Sequence, residues 1–372
     1  MNDRALKLSK AVSIANQKGF GGLIIYSDGV CALARPSYLY YFSGLKALGP
    51  NNAMIVSKSG NAALLVEPQW DAARASRKSW VSDVRGSSDF VKDLIGIMHE
   101  FKITDSVSVM GSAQMMEDLY VSIEEEAKVE PADDIIEEIA REKTDREMDA
   151  VRKAAEIADV GAKAFLGNMR VGIRQYELAA EIGFAMHSAG AEDNFILISS
   201  GRHSYEMHAP VNKRLAEGDT VIAEITPSYE GQFIQLCLTA ALGKPSPILV
   251  ENYNMLVRAL EESLRHIRSG APASLISTSM NKVISDAGYA KYCKPPYMRA
   301  RGHGLSPGST APAFTISDDT KGNLEKQQVV VVHPNQYLPE TGYLACGETV
   351  LVTDAGMEHL SRTEIKLYIV EA

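Results

Sequence analysis

The sequence predicts an α+β protein of two domains, on the evidence of its length, its hydrophobic periodicity and the order of its elements. Its 372 residues exceed one typical domain. Short β-type runs alternate with helical pieces up to about residue 129, and longer helices with separate strand runs follow from about residue 144. Helices segregated against a mostly antiparallel sheet are typical of α+β folds. We expect a small α/β domain over residues 1–135 and a larger domain over residues 136–372.

The N-terminal region has the elements of a small α/β domain. The runs GGLIIYS, NAMIVSK and AALLVEP are β-type and are bounded by Gly, Asn and Ser, whereas SDFVKDLIGIMHEF has helical spacing. The acidic stretch PADDIIEEIAREKTDREMD follows and predicts an interdomain helix. This stretch places the domain boundary.

The second domain begins with the clearest helix of the chain. Thr144 and Glu147 form a capping box, and apolar residues then recur at three-and-four spacing as far as Met169. Two further helices are expected over residues 176–189 and 251–267. Strands are expected in the runs TVIAEITP, QFIQLCLTAAL, QQVVVVHP and ETVLVTDAG.

Composition and charge narrow the class of partner. The formal net charge is −9 and there is no Lys/Arg-rich run, which argues against nucleic acid and against an anionic membrane surface. The N-terminus lacks the apolar stretch of a signal peptide, and no apolar run approaches the ~20 residues of a membrane helix. The four cysteines form no CxxC pair, so no disulfide framework or structural zinc site is indicated. We expect a cytoplasmic protein with a small-molecule or protein partner.

A predicted β-hairpin, GDTVIAEITPSYEGQFIQLCLTAALG, carries the first candidate site residues. Its turn is expected over residues 228–231. A register centred on the middle pair of that turn puts Glu224 opposite Gln235, with Cys237 further along the same face. A Glu in an apolar strand needs a partner, because an unpaired buried carboxylate is costly. It indicates either a Glu–Gln hydrogen bond or one wall of an active site.

Several short motifs then occur in a fixed order through the second half of the chain. They are HAPV at 208–211, GD at 218–219, Glu224 and Gln235 spaced by eleven, GHG at 302–304, HP at 333–334, YLP at 337–339, and Gly347 before ETVLVT. In this order and spacing the chain resembles the creatinase and aminopeptidase-P family from about Thr144 to the C-terminus. The segment ARPSYLYYFSGL also resembles the N-terminal domain of that family.

That resemblance implies a creatinase-like N-terminal domain and a C-terminal pita-bread domain. The metallopeptidases of the family hold two divalent ions with two Asp, one His and two Glu, which activate a bridging water. One carboxylate cannot neutralise two ions, and a glycine contributes no ligand atom. The resemblance therefore implies a member that has lost the two-metal centre. The corresponding residues here are Glu224, Gln235, His303, His333 and Gly347.

Metal-free relatives imply a different chemistry. Creatinase hydrolyses a guanidino C–N bond without metal and uses as proton shuttle the His that corresponds to His208, and ectoine hydrolase is similar in placing a His at position 333. We expect a metal-independent hydrolase of a small amide, amidine or guanidine, without cofactor, with His208 as the shuttle. His303 and His333 would orient water or polarise the substrate, while Glu224 would fix a His tautomer or meet a cationic substrate.

Alternatives stay open at this point. Glu224, His303 and His333 together suit one divalent ion, in a mononuclear hydrolase, an X-Pro peptidase or a lyase. A catalytically silent binding protein is a further class. Cys237 is either a thiolate nucleophile or a small buried side chain.

Substrate-binding residues are expected on several segments. Arg299 and Arg301 flank the GHG motif, where a guanidinium is suited to a substrate carboxylate. Family members are usually homodimers, which implies that residues 35–41 complete the site of the partner subunit. The residues to which we assign substrate binding are Gln235, Cys237, Tyr205, Arg301, Tyr337 and Arg35.

Overall fold

The computed structural model of the protein describes residues 2–305, 307 and 315–372. It divides into two compact units, one that ends at Ala140 and one that begins at Arg141. The sequence places the domain boundary between residues 135 and 136, and that position stays a prediction. Among the described residues, no helix is long and apolar enough to cross a membrane.

The first unit is built on one mixed sheet. Its strand order is β4-β3-β2-β1-β5-β6, in which β1 pairs antiparallel with β2 and parallel with β5. All six residues of β1 are buried, which is what a continuous apolar run predicts for a central strand. The elements are α1 (Asp3–Gln17), β1 (Gly22–Ser27), α2 (Tyr38–Ser43), β2 (Asn52–Ser57), β3 (Ala62–Val66), α3 (Ala72–Lys78), β4 (Asp83–Gly86), α4 (Phe90–Glu100), β5 (Ser106–Met110), α5 (Glu117–Glu126), β6 (Lys128–Pro131) and α6 (Asp133–Arg141).

In the part of the second unit that the structure describes, four α-helices pack with two sheets that are antiparallel apart from one parallel edge pair. The sheet orders are β18-β10-β8-β7, with β9 paired to β8, and β12-β11-β13-β16-β17, and β14 and β15 form a separate ribbon. The elements are α7 (Asp145–Asn168), α8 (Gln175–Ser188), β7 (Asp193–Gly201), β8 (Thr220–Tyr229), β9 (Gln232–Phe233), β10 (Leu236–Leu242), α9 (Pro247–Leu264), α10 (Ser274–Ile284), β11 (Gly302–Leu305), β12 (Thr315–Ile316), β13 (Val329–Val332), β14 (Gln336–Leu338), β15 (Gly342–Leu344), β16 (Glu348–Val352), β17 (Met357–His359) and β18 (Tyr368–Val370).

The predicted α+β class is confirmed, and so is the capping box of α7. The Thr144 hydroxyl accepts from the Glu147 N–H at 3.2 Å, and the Glu147 carboxylate accepts from the Thr144 N–H at 2.8 Å. The start predicted for α9 at residue 251 is wrong by four residues. Ser246 caps this helix and Pro247 occupies its first turn, where proline is favoured.

The hairpin of β8 and β10 has a different register from the one predicted. Its two-residue turn is formed by Glu230 and Gly231, whose φ angles of 46° and 77° suit a tight hairpin turn. Glu224 therefore pairs with Cys237, and the predicted pairing of Glu224 with Gln235 is wrong. The centre of the turn lies one residue later than predicted, which moves every partner by two residues. Because a shift of two preserves side-chain alternation, the face assignments are unchanged.

Candidate active site

A cavity of about 230 Å³ lies in the second unit. The hairpin contributes Glu224, Gln235 and Cys237 to its lining, and the other sheet contributes His303 on β11 and His333 directly after β13. The structure thus brings together six of the residues singled out in the sequence, these five and Arg299. It leaves the others outside the lining.

Two contacts hold the hairpin against the second sheet at this cavity. The backbone of Cys237 bonds in both directions with that of Gly347, at 2.9 and 3.0 Å. The Thr349 hydroxyl accepts from the Gln235 N–H at 3.0 Å and donates to the Gln235 carbonyl at 2.8 Å. Both sheets therefore present their residues to the cavity from fixed positions.

Glu224 is the carboxyl group of the cavity. Burial raises its pKa to about 7, although the positive charge of Arg299 acts in the opposite direction. Both protonation states are therefore populated near neutral pH. A carboxyl group in this condition is suited to proton transfer.

The two cavity histidines are neutral imidazoles. Burial lowers the pKa of His303, with an opposing contribution from its bond to the Gly304 carbonyl. Burial, together with His303 and nearby arginines, lowers the pKa of His333 to about 3. The ring centroids are 5.7 Å apart. Neutral rings at this spacing can both contact one small ligand group.

Gln235 supplies an unsatisfied acceptor. Its side chain is buried, and within the described part of the chain its Oε1 has no hydrogen-bond partner. Its Nε2 lies 3.8 Å from the Cys237 sulfur. A buried amide oxygen without a partner is costly, so this atom is suited to a ligand N–H.

Cys237 is an unsuitable nucleophile in this setting. Burial, and to a smaller extent the nearby Glu224, raises the pKa of its thiol well above the usual range. The thiolate is the reactive form, and the structure disfavours it. The structural role, a small buried side chain on a strand, fits these observations.

Arg301, expected to bind substrate, has a structural role instead. Its side chain is fully buried and donates to the Asn281 side chain at 2.8 Å, the Asn335 carbonyl at 2.8 Å and the Gln336 side chain at 2.9 Å. Arg299, two residues earlier, lines the cavity. The sequence identified both arginines as flanking the GHG motif, but only the structure separates the buried one from the one that faces the cavity.

Three other expected residues lie outside the cavity lining. The His208 Nδ1 bonds to the adjacent Ala209 carbonyl at 2.8 Å, and its neighbour Met207 is the residue that reaches the cavity. Tyr205 is 75% exposed and stacks on Tyr337, with ring centroids 5.9 Å apart. Tyr337 packs against the apolar cluster that includes Met207 and Tyr343. The expected contact of Tyr205 and Tyr337 with a ligand stays a prediction.

Arg35 belongs to the first unit, where it forms an ion pair with Asp28. Its expected role in the site of a partner subunit stays a prediction. In the second unit, sequence reasoning missed Asn335 and Tyr343, both of which line the cavity. Asn335 had a usable signal, since it follows His333 by two residues in the HPN segment.

The positions that correspond to the two-metal ligands do not fit two ions. A β-carbon built on Gly347 would lie 2.5 Å from the Val332 carbonyl oxygen, so no ligand side chain can stand there without a shift of the backbone. Gln235 offers a neutral amide in place of a carboxylate. In the ranges that the structure describes, no three of the His, Cys, Asp and Glu residues are arranged to hold a metal ion.

Similar proteins of known type cover nearly the whole chain. It is 27% identical over 343 residues to the Xaa-Pro dipeptidase of Pyrococcus furiosus, a match covering 90% of this chain and 94% of that protein. The structure of an Xaa-Pro dipeptidase from Bacillus anthracis superimposes with a TM-score of 0.84 at 21% identity, covering 99% of this chain and 100% of that one. The X-Pro aminopeptidase of Thermotoga maritima also gives 0.84, at 20% identity, covering 98% of this chain and 99% of that one.

These comparisons correct two expectations. A metal-independent hydrolase of the creatinase type, and with it an enzyme without cofactor, is contradicted because the similar proteins are X-Pro peptidases of a metallopeptidase family. The broader expectation of a hydrolase of C–N bonds is supported. The sequence profile of metallopeptidase family M24 matches residues 149–354, more than half of the chain. The chain belongs to the metallopeptidase family M24.

Proposed function

We propose that the chain hydrolyses the peptide bond that precedes proline in Xaa-Pro dipeptides. The cavity carries this proposal, because one small space offers a guanidinium, a buried amide acceptor and proton-transfer groups. A dipeptide carries the complementary groups: a terminal carboxylate, a terminal ammonium and one peptide bond. The similarity to Xaa-Pro dipeptidases over 90% of the chain supports the same substrate class.

Arg299 and Gln235 would hold the two ends of the dipeptide. Arg299 faces the cavity, and among the described residues its guanidinium has only a long contact, 3.5 Å, to the Met207 carbonyl. A guanidinium in this condition is suited to bind the terminal carboxylate through paired hydrogen bonds. The unsatisfied Gln235 Oε1 is suited to accept from the terminal ammonium.

His303 and Glu224 would transfer the protons. His303 donates its Nδ1–H to the Gly304 carbonyl at 2.9 Å, which leaves a lone pair on Nε2 for a proton of the attacking water. Glu224, with a pKa of about 7, is suited to protonate the proline nitrogen as it leaves. Without that proton the proline nitrogen would have to leave as an anion, which is a poor leaving group.

We also propose that the chain is a divergent member of its family in which the two-ion ligand set is not retained. The close approach at Gly347 and the amide at Gln235 support this proposal. Metal analysis after incubation with excess Mn²⁺, Co²⁺ or Zn²⁺ and desalting tests it. Two retained equivalents of one ion would refute it.

A panel of small substrates tests the activity. Ala-Pro and Gly-Pro should be hydrolysed, whereas Ala-Ala and creatine should not. Each substrate is assayed without added ions, with chelator and with each ion above. His303→Ala should lower the rate by about 10²–10⁴-fold, and His208→Ala should change it little. Failure to cleave any X-Pro dipeptide under every ion condition would exclude the proposed activity.

The amide Ala-Pro-NH₂ examines Arg299 separately. It lacks the terminal carboxylate, so wild-type protein should cleave it with a raised KM. Arg299→Gln should remove the difference between the free acid and the amide. An unchanged preference for the free acid in this variant would assign the carboxylate to another residue.

Two further expectations stay predictions. A homodimer, with residues 35–41 of one subunit completing the site of the other, is tested by light scattering together with activity. An active monomer would contradict it. Cytoplasmic location is tested by cell fractionation.

A further inference from the structure

The side-chain amide of Asn335 has a fixed orientation. Its Oδ1 accepts from the backbone N–H of Arg299 at 2.9 Å, and its Nδ2 donates to the backbone carbonyl of Ala300 at 3.0 Å. The residue is only 5% exposed. Rotating the amide by 180° would set two donors against each other at Arg299 and two acceptors against each other at Ala300. The backbone of residues 299–300 therefore decides which amide atom points where.

This orientation determines the tautomer of His333. The Asn335 Nδ2 lies 2.7 Å from the His333 Nδ1. An amide nitrogen only donates, so Nδ1 must accept. A neutral imidazole with an acceptor at Nδ1 carries its hydrogen on Nε2. His333 lines the cavity, and Nε2 is the ring nitrogen left for a ligand.

His303 has the opposite tautomer. Its Nδ1 lies 2.9 Å from the Gly304 carbonyl, which only accepts, so Nδ1 carries the hydrogen and Nε2 offers a lone pair. The two rings are 5.7 Å apart between centroids, at an interplanar angle of 64°. One ring of the pair is thus a hydrogen-bond donor and the other an acceptor at the same small cavity.

We propose that Asn335 is a positioning residue that holds His333 as an N–H donor towards the substrate, opposite His303 as the acceptor. The role of the donor rests on the proposed function: His333 Nε2–H would bond to the oxygen of the scissile carbonyl as negative charge develops there. In this tautomer His333 has no lone pair at Nε2 for an ion. The replacement of a carboxylate by His at this position therefore exchanges a metal ligand for a hydrogen-bond donor.

Asn335→Asp is the informative variant. A carboxylate accepts only, so it favours a hydrogen on His333 Nδ1 and moves the lone pair to Nε2. The variant keeps an acceptor for the Arg299 backbone N–H, but at the Ala300 carbonyl it replaces the hydrogen bond by two acceptors that face each other. Asn335→Leu keeps a side chain of similar size but removes all three hydrogen bonds, and is the comparison for their loss.

The test is the protonation of each ring nitrogen, read by long-range ¹H–¹⁵N spectra of ¹⁵N-histidine-labelled protein at pH 7. Signals are assigned with the variants His333→Gln and His303→Gln. Wild-type protein should show His333 protonated at Nε2 and His303 protonated at Nδ1, and Asn335→Asp should reverse the pattern of His333 alone. A wild-type His333 protonated at Nδ1 would overturn the proposal without reference to any variant.

Kinetics separate this inference from the proposed activity. If X-Pro dipeptides are hydrolysed, Asn335→Asp should lower kcat by about 10²–10³-fold, the range for loss of an oxyanion donor, with KM changed little. An unchanged kcat in a variant whose tautomer is reversed would remove the catalytic role. If no dipeptide is cleaved but the spectra show the expected tautomers, the proposed function fails and the positioning by Asn335 stands.

Discussion

A β-carbon at Gly347 would lie 2.5 Å from the β-carbon of His333. It would also lie 2.5 Å from the Val332 carbonyl oxygen. Both distances are shorter than an ordinary contact between non-bonded atoms. These are two of the positions at which the resemblance to the family places metal-binding carboxylates. In this chain the backbone of Val332 and His333 occupies the space in which a ligand side chain at position 347 would stand.

Gly347→Ala should therefore destabilise the protein by about 1–3 kcal/mol, the usual cost of overpacking a filled core. The change adds one methyl group against the Val332 carbonyl oxygen as well as the His333 β-carbon, so His333→Gly, which removes that β-carbon, should relieve the clash only in part. Chemical denaturation of the single and double variants measures the difference. The control is Gly356→Ala, whose β-carbon would have no atom of a non-adjacent described residue within 4 Å. Equal stability of the two glycine variants would refute the close approach.

Substitution of Arg301 should lower stability, whereas substitution of Arg299 should weaken substrate binding. Arg301→Gln leaves three oxygen atoms without their donor in a buried setting and should cost about 3 kcal/mol of unfolding free energy. Arg299→Gln should leave stability nearly unchanged, because Arg299 is exposed apart from its face at the cavity. It should raise KM for dipeptides instead. Thermal unfolding and steady-state kinetics on both variants check the contrast, and a large stability loss in Arg299→Gln would contradict it.

The sequence was sufficient to predict most helices and strands, but not the contacts within the site. Periodicity and the capping box at Thr144 predicted α7, and strand alternation put Glu224 and Cys237 on one face. The register failed because it depends on which two residues of the turn adopt positive φ, here Glu230 and Gly231. A turn of four polar or small residues does not reveal that choice.

The distinction between Arg299 and Arg301 depends on tertiary structure. The two residues are two positions apart, so side-chain alternation does not distinguish them. Only the hydrogen bond from Arg301 to Asn281 on α10 shows that Arg301 is enclosed. The role of Asn335 likewise depends on backbone groups of residues 299–300, more than thirty positions away in the sequence. Neither relationship has a local sequence pattern.

Cys237 should prove dispensable for catalysis. Its thiol is buried with a raised pKa, so it should react with alkylating reagents more slowly than the half-exposed Cys293. Cys237→Ala should keep most of the activity and lose about 1 kcal/mol of stability from the small cavity it leaves. Mass spectrometry after timed alkylation gives the order of labelling. Rapid labelling of Cys237 with parallel loss of activity would instead support a nucleophilic role.

Glu224 should make the folded protein less stable as the pH rises, which is the opposite of the usual effect of a carboxyl group. Its pKa is raised from 4.5 to about 7 in the folded state, so the folded state binds the proton more tightly than the unfolded state. The contribution of this group is therefore fully present below about pH 4.5 and is lost as the pH rises towards 7. A shift of this size corresponds to about 3 kcal/mol.

Glu224→Gln should remove that component, since glutamine does not titrate. The difference in unfolding free energy between wild type and variant, measured by denaturation at a series of pH values, should change between about pH 4.5 and 7 and be flat above it. The pH dependence of dipeptide hydrolysis gives a second measurement: if the neutral carboxyl group donates the proton to the leaving nitrogen, kcat/KM should fall above pH 7 in wild type. In Glu224→Gln that fall should disappear, together with most of the rate. A variant that retains the wild-type inflection would assign the titration to another group.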